Sequence, residues 1–297
     1  MWMRSVPLAE LTRWKIGGSA PLFARASNRD ELRALLAEVK GQTVQVLGLG
    51  ANLLISDEGP GGPVLVLEGE FKDLDVLDET IRCGAAAPIS GLVQAARRGA
   101  RSGLWILEAV PGTMGGALRM NAGTADDWIW DRVLWAEAMW PDGDIRRVTR
   151  EDVRPRYRGI DLDVEAVFIE AEVEAPGGDR ERIEKEHRQR REAKLNAQVY
   201  DEPTCGSTWK NPDPPAPTAW QLVDKAGMRG EVRGGAQVSP KHANFIVNTG
   251  DARASDVVDL MVETRRRVLA ETGIALEPEI QFWGFTDEVL RELGVTV

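Results

Sequence analysis

The sequence predicts an α+β fold, and two observations carry that prediction. Apolar segments of strand length arrive in runs, at 43–67 and again at 133–173, without the helix between successive strands that a doubly wound parallel sheet requires. Amphipathic helical segments flank those runs, each with its own start and stop signals. The 297 residues fit two domains at roughly 150 residues each, ample for cores held by packing alone.

Taken in order, Asn28 with Glu31 forms a capping box ahead of Leu32, Leu35, Leu36 and Val39, which recur at helical spacing. Residues 43–47 and 53–56 are strand candidates around the turn Gly48-Leu49-Gly50-Ala51-Asn52. Pro60-Gly61-Gly62-Pro63 is punctuation, and 64–67 and 79–82 are further short strands. Residues 89–98 form a helix with Ile89, Leu92, Val93 and Ala96 on one face and Gly99 beyond its end. The stretch 103–123 holds five glycines among apolar residues, unlike a polar linker. Strands follow at 133–140, 145–148 and 164–173, closed by Pro176-Gly177-Gly178. Asp179 opens a highly charged helix to about Lys194, whose mixed signs predict a solvated face with i,i+4 pairs. Residues 196–217 contain five prolines and read as a loop or interdomain passage. Thr218 with Gln221 starts a helix that stops at Gly227. Residues 245–248 make a strand. A last long helix at 255–272 shows Val258, Met261, Val262, Leu269 and Ala270, and Gly273 ends it.

Lys plus Arg total 37 against 47 Asp plus Glu, a formal net charge of −10. A domain-wide basic footprint for nucleic acid is absent, so no nucleic-acid partner is expected. Two cysteines, Cys83 and Cys205, and two histidines, His187 and His242, exclude a zinc ribbon, a Cys₄ cluster or a His-rich centre, and no metal is expected. Nothing calls for an oxidising compartment. Residues 1–14 lack an apolar core of signal-peptide type, and no apolar run approaches the ~18 residues of a membrane span. The expected location is cytoplasmic, with no membrane partner.

Two glycine-rich segments stand out chemically. Glycines in Gly48-Leu49-Gly50-Ala51-Asn52 allow close backbone approach, so consecutive N–H groups can converge on a phosphate. The third glycine and following helix of the dinucleotide fingerprint are missing, and taken alone the segment is more simply a tight β-turn. Pro111-Gly112-Thr113-Met114-Gly115-Gly116, with Ala117 and Asn121-Ala122-Gly123, leaves little side-chain bulk along a whole stretch of backbone. It suits either a large phosphate-bearing ligand or close helix–strand packing. Together the segments favour a large phosphate-bearing cofactor. Ser207 lies in Cys205-Gly206-Ser207-Thr208-Trp209-Lys210-Asn211-Pro212, which does not match a hydrolase elbow. Leu276-Glu277-Pro278-Glu279 sets two carboxylates around a proline. His242, in Lys241-His242-Ala243-Asn244, is a candidate base without an obvious triad partner. Tyr157-Arg158 lies in a segment rich in Arg and Asp.

These pieces, in order along nearly the whole chain, resemble the UDP-N-acetylenolpyruvoylglucosamine reductases, in the shorter class that lacks the tyrosine loop over the substrate. The resemblance rests on Trp14-Lys15-Ile16-Gly17-Gly18, Gly48 to Leu54, Val110 to Gly123, Tyr157-Arg158-Gly159, Lys194-Leu195, Gly206 to Pro212, Ala226 to Gly230, and Leu276 to Glu279. It implies an FAD-binding domain of the vanillyl-alcohol-oxidase (PCMH) type plus a C-terminal α+β substrate-binding domain. The implied partition is 1–65, rejoined by the tail 283–297, then 66–195, then 196–282 for substrate.

The resemblance also implies the chemistry. Hydride passes from NADPH through FAD to the enolpyruvyl double bond of UDP-N-acetylglucosamine enolpyruvate, giving UDP-N-acetylmuramate for peptidoglycan. Gly48, Leu49, Gly50, Ala51, Asn52, Pro111, Gly112, Thr113, Gly115, Gly116, Asn121 and Ala122 match cofactor positions. Arg158 matches a cation beside the substrate carboxylate, where negative charge develops. Ser207 matches the proton donor, and Glu279 a second acid or enol stabiliser. Lys194 and Asn211 match substrate contacts. Lys210 would add positive charge for the diphosphate in an acidic chain. The chain departs from the family at Ala51, where Ser is usual, at Thr124-Ala125-Asp126, and at Trp209. A monomer is expected. Two other readings stay open: an FAD-dependent oxidase of a small alcohol or hydroxy acid, and a non-catalytic flavin or nucleotide-sugar-binding module.

Overall fold

A computed structural model describes residues 1–124, 126–162 and 166–295. In chain order the first elements are β1 (Met3–Pro7), β2 (Ser19–Ala26), α1 (Arg29–Glu38), β3 (Gln45–Val46), β4 (Leu53–Ile55), β5 (Val64–Leu67), β6 (Leu74–Val76), β7 (Thr80–Gly84) and α2 (Ile89–Arg98). They continue with α3 (Met114–Arg119), β8 (Val133–Met139), β9 (Ile145–Val148), α4 (Arg150–Val153), β10 (Val167–Glu174) and α5 (Arg180–Ala197). The rest are α6 (Ala219–Lys225), β11 (Val232–Arg233), β12 (Ala236–Val238), β13 (Ile246–Asn248), α7 (Ala254–Thr272), β14 (Gln281–Trp283) and α8 (Asp287–Leu293). The chain divides into two units, one of residues 1–3, 23–49 and 63–196, the other of 4–22, 50–62 and 197–297.

In the first unit an antiparallel sheet runs β6-β7-β10-β8-β9. Alternation drives it: along β10, Val167, Ile169, Ala171 and Val173 are buried while Glu170, Glu172 and Glu174 are not. Beside it, the second half of β2 pairs parallel with β5, Phe23 opposite Val64, and β3 pairs with the other edge of β5. Helix α1 starts as its sequence predicts, with Asn28 Oδ1 accepting the Glu31 N–H at 2.9 Å. Helix α2 buries Ile89, Leu92, Val93 and Ala96, the predicted face. All of these meet in one core with Leu32, Leu65, Ile81, Met114 and Trp130.

In the second unit, β11-β12-β13 form an antiparallel sheet under α7, and β14 lies parallel to β4, Gln281 opposite Leu53. Its core gathers Trp14, Leu54, Trp209, Leu222, Met228, Leu260 and Leu276. The buried Trp14 indole donates to the Ile246 carbonyl at 2.8 Å, and Asn248 Nδ2 donates to the Trp14 carbonyl at 2.9 Å. These bonds tie the first segment of this unit to its last.

The structure corrects the sequence expectations in four places. On α7 the buried face is Val257, Leu260, Met261 and Val268, whereas Leu269 and Ala270 of the expected stripe are exposed. The charged helix runs on to Ala197 and is not simply a solvated face, because Ile183 and His187 are buried along it. The glycine-rich stretch contains a helix, α3, that two glycines argue against. Packing favours the first of them, since a Cβ on Gly115 would lie 3.2 Å from Ala85, whereas one on Gly116 would meet only Thr113 Oγ1 at an ordinary 3.7 Å. The strand expected at 164–173 begins at Val167, and residues 163–165 lie outside the described residues.

Candidate functional site

In the first unit, two glycine segments far apart in sequence come together. A Cβ on Gly48 would sit 2.8 Å from Thr113 Oγ1, so only glycine lets this backbone lie against Thr113. Thr113 is the N-cap of α3, its hydroxyl accepting from the Gly116 N–H at 3.4 Å. Gly112, with φ 134°, has open space where a side chain would be, and Pro111 and Gly116 are exposed. The N–H groups of Gly48, Leu49, Gly112 and Thr113 meet no acceptor among the described residues. Backbone donors left unmatched beside a surface stripped of side chains suit an anionic group such as a dinucleotide pyrophosphate.

Asn121 belongs to the same unit but is spent inward. It is fully buried, its Nδ2 donating to the Arg156 carbonyl at 3.1 Å and its Oδ1 accepting from the Trp130 N–H at 3.4 Å. Its neighbour Ala122 is half-buried. The Arg156 carbonyl also accepts from the Gly159 N–H, and Arg156 N–H donates back to Gly159 at 3.0 Å. That tight turn presents Tyr157 and Arg158, the latter in the left-handed region at φ 56°. The Arg158 guanidinium lies 5.0 Å from the Tyr157 ring centroid. Asn121 therefore anchors the turn that carries Arg158. Lys194 is half-buried in the last turn of α5.

In the second unit, the strip Ser207–Lys210 is stitched on both sides. Ser207 bridges Phe245, Thr208 N–H donates to the Asn244 carbonyl at 2.8 Å, and Lys210 N–H donates to the Glu277 carbonyl at 2.9 Å. Glu279 N–H donates to the Thr208 carbonyl at 2.8 Å, which sets Glu279 beside the residue after Ser207. Asn52 Nδ2 in turn donates to the Glu279 carbonyl at 3.1 Å, so this side chain braces the acid. Gly50 is buried against Thr12, and Ala51 is half-buried. Burial, with the Glu279 carboxylate adding to it, pushes the Cys205 thiol well above its usual range, so it stays protonated and is no nucleophile.

Lys210 and Asn211, matched by the resemblance to substrate contacts, have protein partners here. Lys210 Nζ is 3.4 Å from Glu277, and Asn211 Oδ1 accepts from the Ala219 N–H at the start of α6. His242 is lowered from its ordinary value, by burial first, and its Nδ1 accepts from the Asn244 N–H at 3.2 Å. That holds it as a neutral ring with one nitrogen occupied.

Sequence reasoning missed Asn244, whose Oδ1 accepts from the Trp209 N–H and whose Nδ2 donates to the Trp209 carbonyl, both at 2.9 Å. The signal was an asparagine within the segment weighed only for His242. It also missed Thr208, whose hydroxyl is buried and meets no partner among the described residues. No group of His, Cys, Asp and Glu that could hold a metal occurs among the described residues. None of their helices is long and apolar enough to cross a membrane.

The donor-rich glycine surface marks a nucleotide-cofactor enzyme, and comparison with known proteins makes it an FAD-containing oxidoreductase. Residues 20–149 match the family model of an FAD binding domain, and residues 198–283 match that of the UDP-N-acetylenolpyruvoylglucosamine reductase C-terminal domain. A UDP-N-acetylenolpyruvoylglucosamine reductase of Heliobacterium modesticaldum is 38% identical over 286 residues, covering 95% of this chain and 91% of the relative. One from Methylorubrum extorquens is 39% identical over 276 residues, covering 92% and 89%. The crystal structure of the Thermus caldophilus reductase superposes with a TM-score of 0.84 at 32% identity, covering 95% of this chain and all of that one. The chain belongs to the UDP-N-acetylenolpyruvoylglucosamine reductase family. Its architecture is accordingly the FAD-binding domain of the vanillyl-alcohol-oxidase type with the family's C-terminal domain, and FAD and NADPH are the family's cofactors.

Proposed function

We propose that this chain reduces the enolpyruvyl double bond of UDP-N-acetylglucosamine enolpyruvate to UDP-N-acetylmuramate, with NADPH as reductant. On this reading it is a cytoplasmic monomer supplying peptidoglycan precursors, without a nucleic-acid or membrane partner. The observation that carries the reading is the backbone pairing that draws the Ser207 and Glu279 motifs together in the second unit: Glu279 N–H bonds to the Thr208 carbonyl, next to Ser207. The partition into 1–65 with tail 283–297, 66–195 and 196–282 is part of the proposal. Support for the returning tail comes from its first residue, Trp283, pairing with Ile55 of β4.

Bound FAD supplies the two-electron carrier between NADPH and the alkene. The chain supplies everything else. The unmatched N–H groups of Gly48, Leu49, Gly112 and Thr113 would hold the pyrophosphate, and Gly115, Gly116, Pro111 and Ala122 keep the cofactor surface low. Gly50, Ala51 and Asn52 keep the cofactor role that the family resemblance gives them. Asn121 acts by holding the Arg158 turn. Arg158 balances the charge that develops beside the substrate carboxylate, Ser207 Oγ–H donates a proton to the alkene carbon that takes no hydride, and Glu279 stabilises the enol or serves as the second acid. Lys194, Lys210 and Asn211 contact the substrate, Lys210 by exchanging its exposed Glu277 partner for phosphate.

An anaerobic flavin absorbance trace tests the reading. NADPH should bleach the oxidised band, and UDP-N-acetylglucosamine enolpyruvate should restore it. Bleaching without recovery would discard this substrate and favour the oxidase alternative. Flavin binding with neither half-reaction would favour a non-catalytic module.

A further inference from the structure

In the second unit a buried asparagine stands where a strand residue would be expected. The strip Ser207–Lys210 runs between two neighbours. On one side Lys210 N–H bonds to the Glu277 carbonyl and Glu279 N–H to the Thr208 carbonyl, backbone to backbone, with Trp209 opposite Pro278. On the other side Ser207 lies opposite Phe245, and Thr208 N–H bonds to the Asn244 carbonyl. The backbone pairing on this side goes no further. The chain turns before Phe245, whose N–H donates to the His242 carbonyl at 3.0 Å, while Asn244 N–H donates to His242 Nδ1 at 3.2 Å. The N–H and carbonyl of Trp209 are left without a backbone partner among the described residues.

Asn244 supplies both partners from its side chain. Its Oδ1 accepts from the Trp209 N–H and its Nδ2 donates to the Trp209 carbonyl, each at 2.9 Å. A side-chain amide carries the same donor and acceptor as a peptide group, so it can pair with one residue as a neighbouring strand would. Asn244 is 5% and Trp209 2% exposed, so solvent does not compete for either bond. An ionised aspartate could accept here but not donate. Trp209 is also the middle of the strip. Ser207 lies two positions before it, and Lys210 and Asn211 follow it directly. Its backbone is therefore the common support of the proposed proton donor and of two proposed substrate contacts.

We propose that Asn244 is a positioning residue, whose side-chain amide clamps the Trp209 backbone and thereby sets where Ser207 Oγ stands for proton transfer to the substrate. The inference rests on the reading of Ser207 as proton donor. On that reading the clamp governs reoxidation of the flavin by the enolpyruvyl nucleotide. It leaves reduction by NADPH alone, since that half-reaction takes no proton from Ser207.

Stopped-flow traces of the FAD-loaded chain, together with hydrogen exchange over 205–212, test this. Asn244→Ala should keep reduction by NADPH within about twofold of wild type and slow reoxidation at saturating nucleotide by about tenfold or more. It should also speed exchange of the Trp209 amide. Asn244→Asp keeps the acceptor for the Trp209 N–H and regains a donor only when protonated. Its reoxidation rate relative to wild type should therefore climb as pH falls, while the Asn244→Ala deficit stays level. Asn244→Asp also serves if Asn244→Ala does not fold. Equal slowing of both half-reactions would assign Asn244 to general stability and overturn the proposal, as would unchanged exchange at Trp209. Faster exchange with unchanged reoxidation would overturn the link to Ser207. Absence of reoxidation in the wild-type chain would overturn the functional reading and this inference with it, whereas normal wild-type reoxidation leaves the variants to judge the inference alone.

Discussion

At the scale of single residues, the proposed chemistry depends on a weak acid held still. Ser207 has bridged backbone on one side and, through Thr208, Glu279 on the other. Ser207→Ala removes the proposed proton donor and leaves that backbone intact. Reduction of bound flavin by NADPH should change less than about twofold, while reoxidation by the enolpyruvyl nucleotide slows by about 10²–10⁴. Equal slowing of both half-reactions, measured by stopped flow, would remove Ser207 from the proton transfer. Gly48 is the second residue whose identity is set by contact. The 2.8 Å approach that a Cβ would make to Thr113 Oγ1 is too close for an alanine. Gly48→Ala should weaken FAD binding by about tenfold, as ~1.4 kcal/mol of lost fit implies. A Kd within twofold of wild type would take this contact out of the cofactor surface.

At the scale of elements, α7 shows how a helix face adds pH dependence. Hydrogen bonds from Arg266 and then Arg267 hold the Glu263 carboxylate down to about 2. Because the folded value is depressed, the unfolded chain binds the proton more readily as pH falls. The stabilisation is therefore full above the ordinary carboxylate range and disappears as pH falls toward 2. The pair is near the surface, so its contribution is at most about 1 kcal/mol. Glu263→Gln should lower the melting temperature slightly above about pH 5 and converge with wild type near pH 2–3. A difference independent of pH would assign the effect to packing. Helix α5 makes the complementary point. Its mean hydropathy and mixed charges predict a solvated rod, and most of it is one. The single buried imidazole escapes that reading because its partner, Glu108, is 79 positions away.

At the scale of the whole molecule, distant segments supply caps and clamps that local sequence cannot. Helix α7 has Arg253 in the N-cap position, a residue with no acceptor to offer its first turn. Asp57 does the capping, its Oδ1 accepting from Ala254 N–H at 2.8 Å and its Oδ2 from Ser255 N–H at 3.1 Å, across 197 and 198 positions. Asp57→Ala should cost about 1–2 kcal/mol in denaturant unfolding, with Asp57→Asn costing less. An unchanged midpoint in Asp57→Ala would mean water replaces the cap without loss.

The sequence by itself determined the α+β class, the periodic helices α1 and α2, the span but not the buried face of α7, and the two glycine segments. Each of these is written in a local signal: a 3.6-residue repeat, a capping box, a run without side chains. It also carried the ordered motifs that lead to the family, and with them Arg158, Ser207 and Glu279 as candidates. Only the tertiary structure decided which residues meet. It brought Gly48 to Thr113, turned Asn121 inward to hold Arg156, put Asn52 on Glu279, and closed Glu108 against His187. Those contacts depend on chain segments tens to hundreds of positions apart. Their energies are set by burial and by matching each donor to an acceptor, quantities that no periodicity along the chain contains.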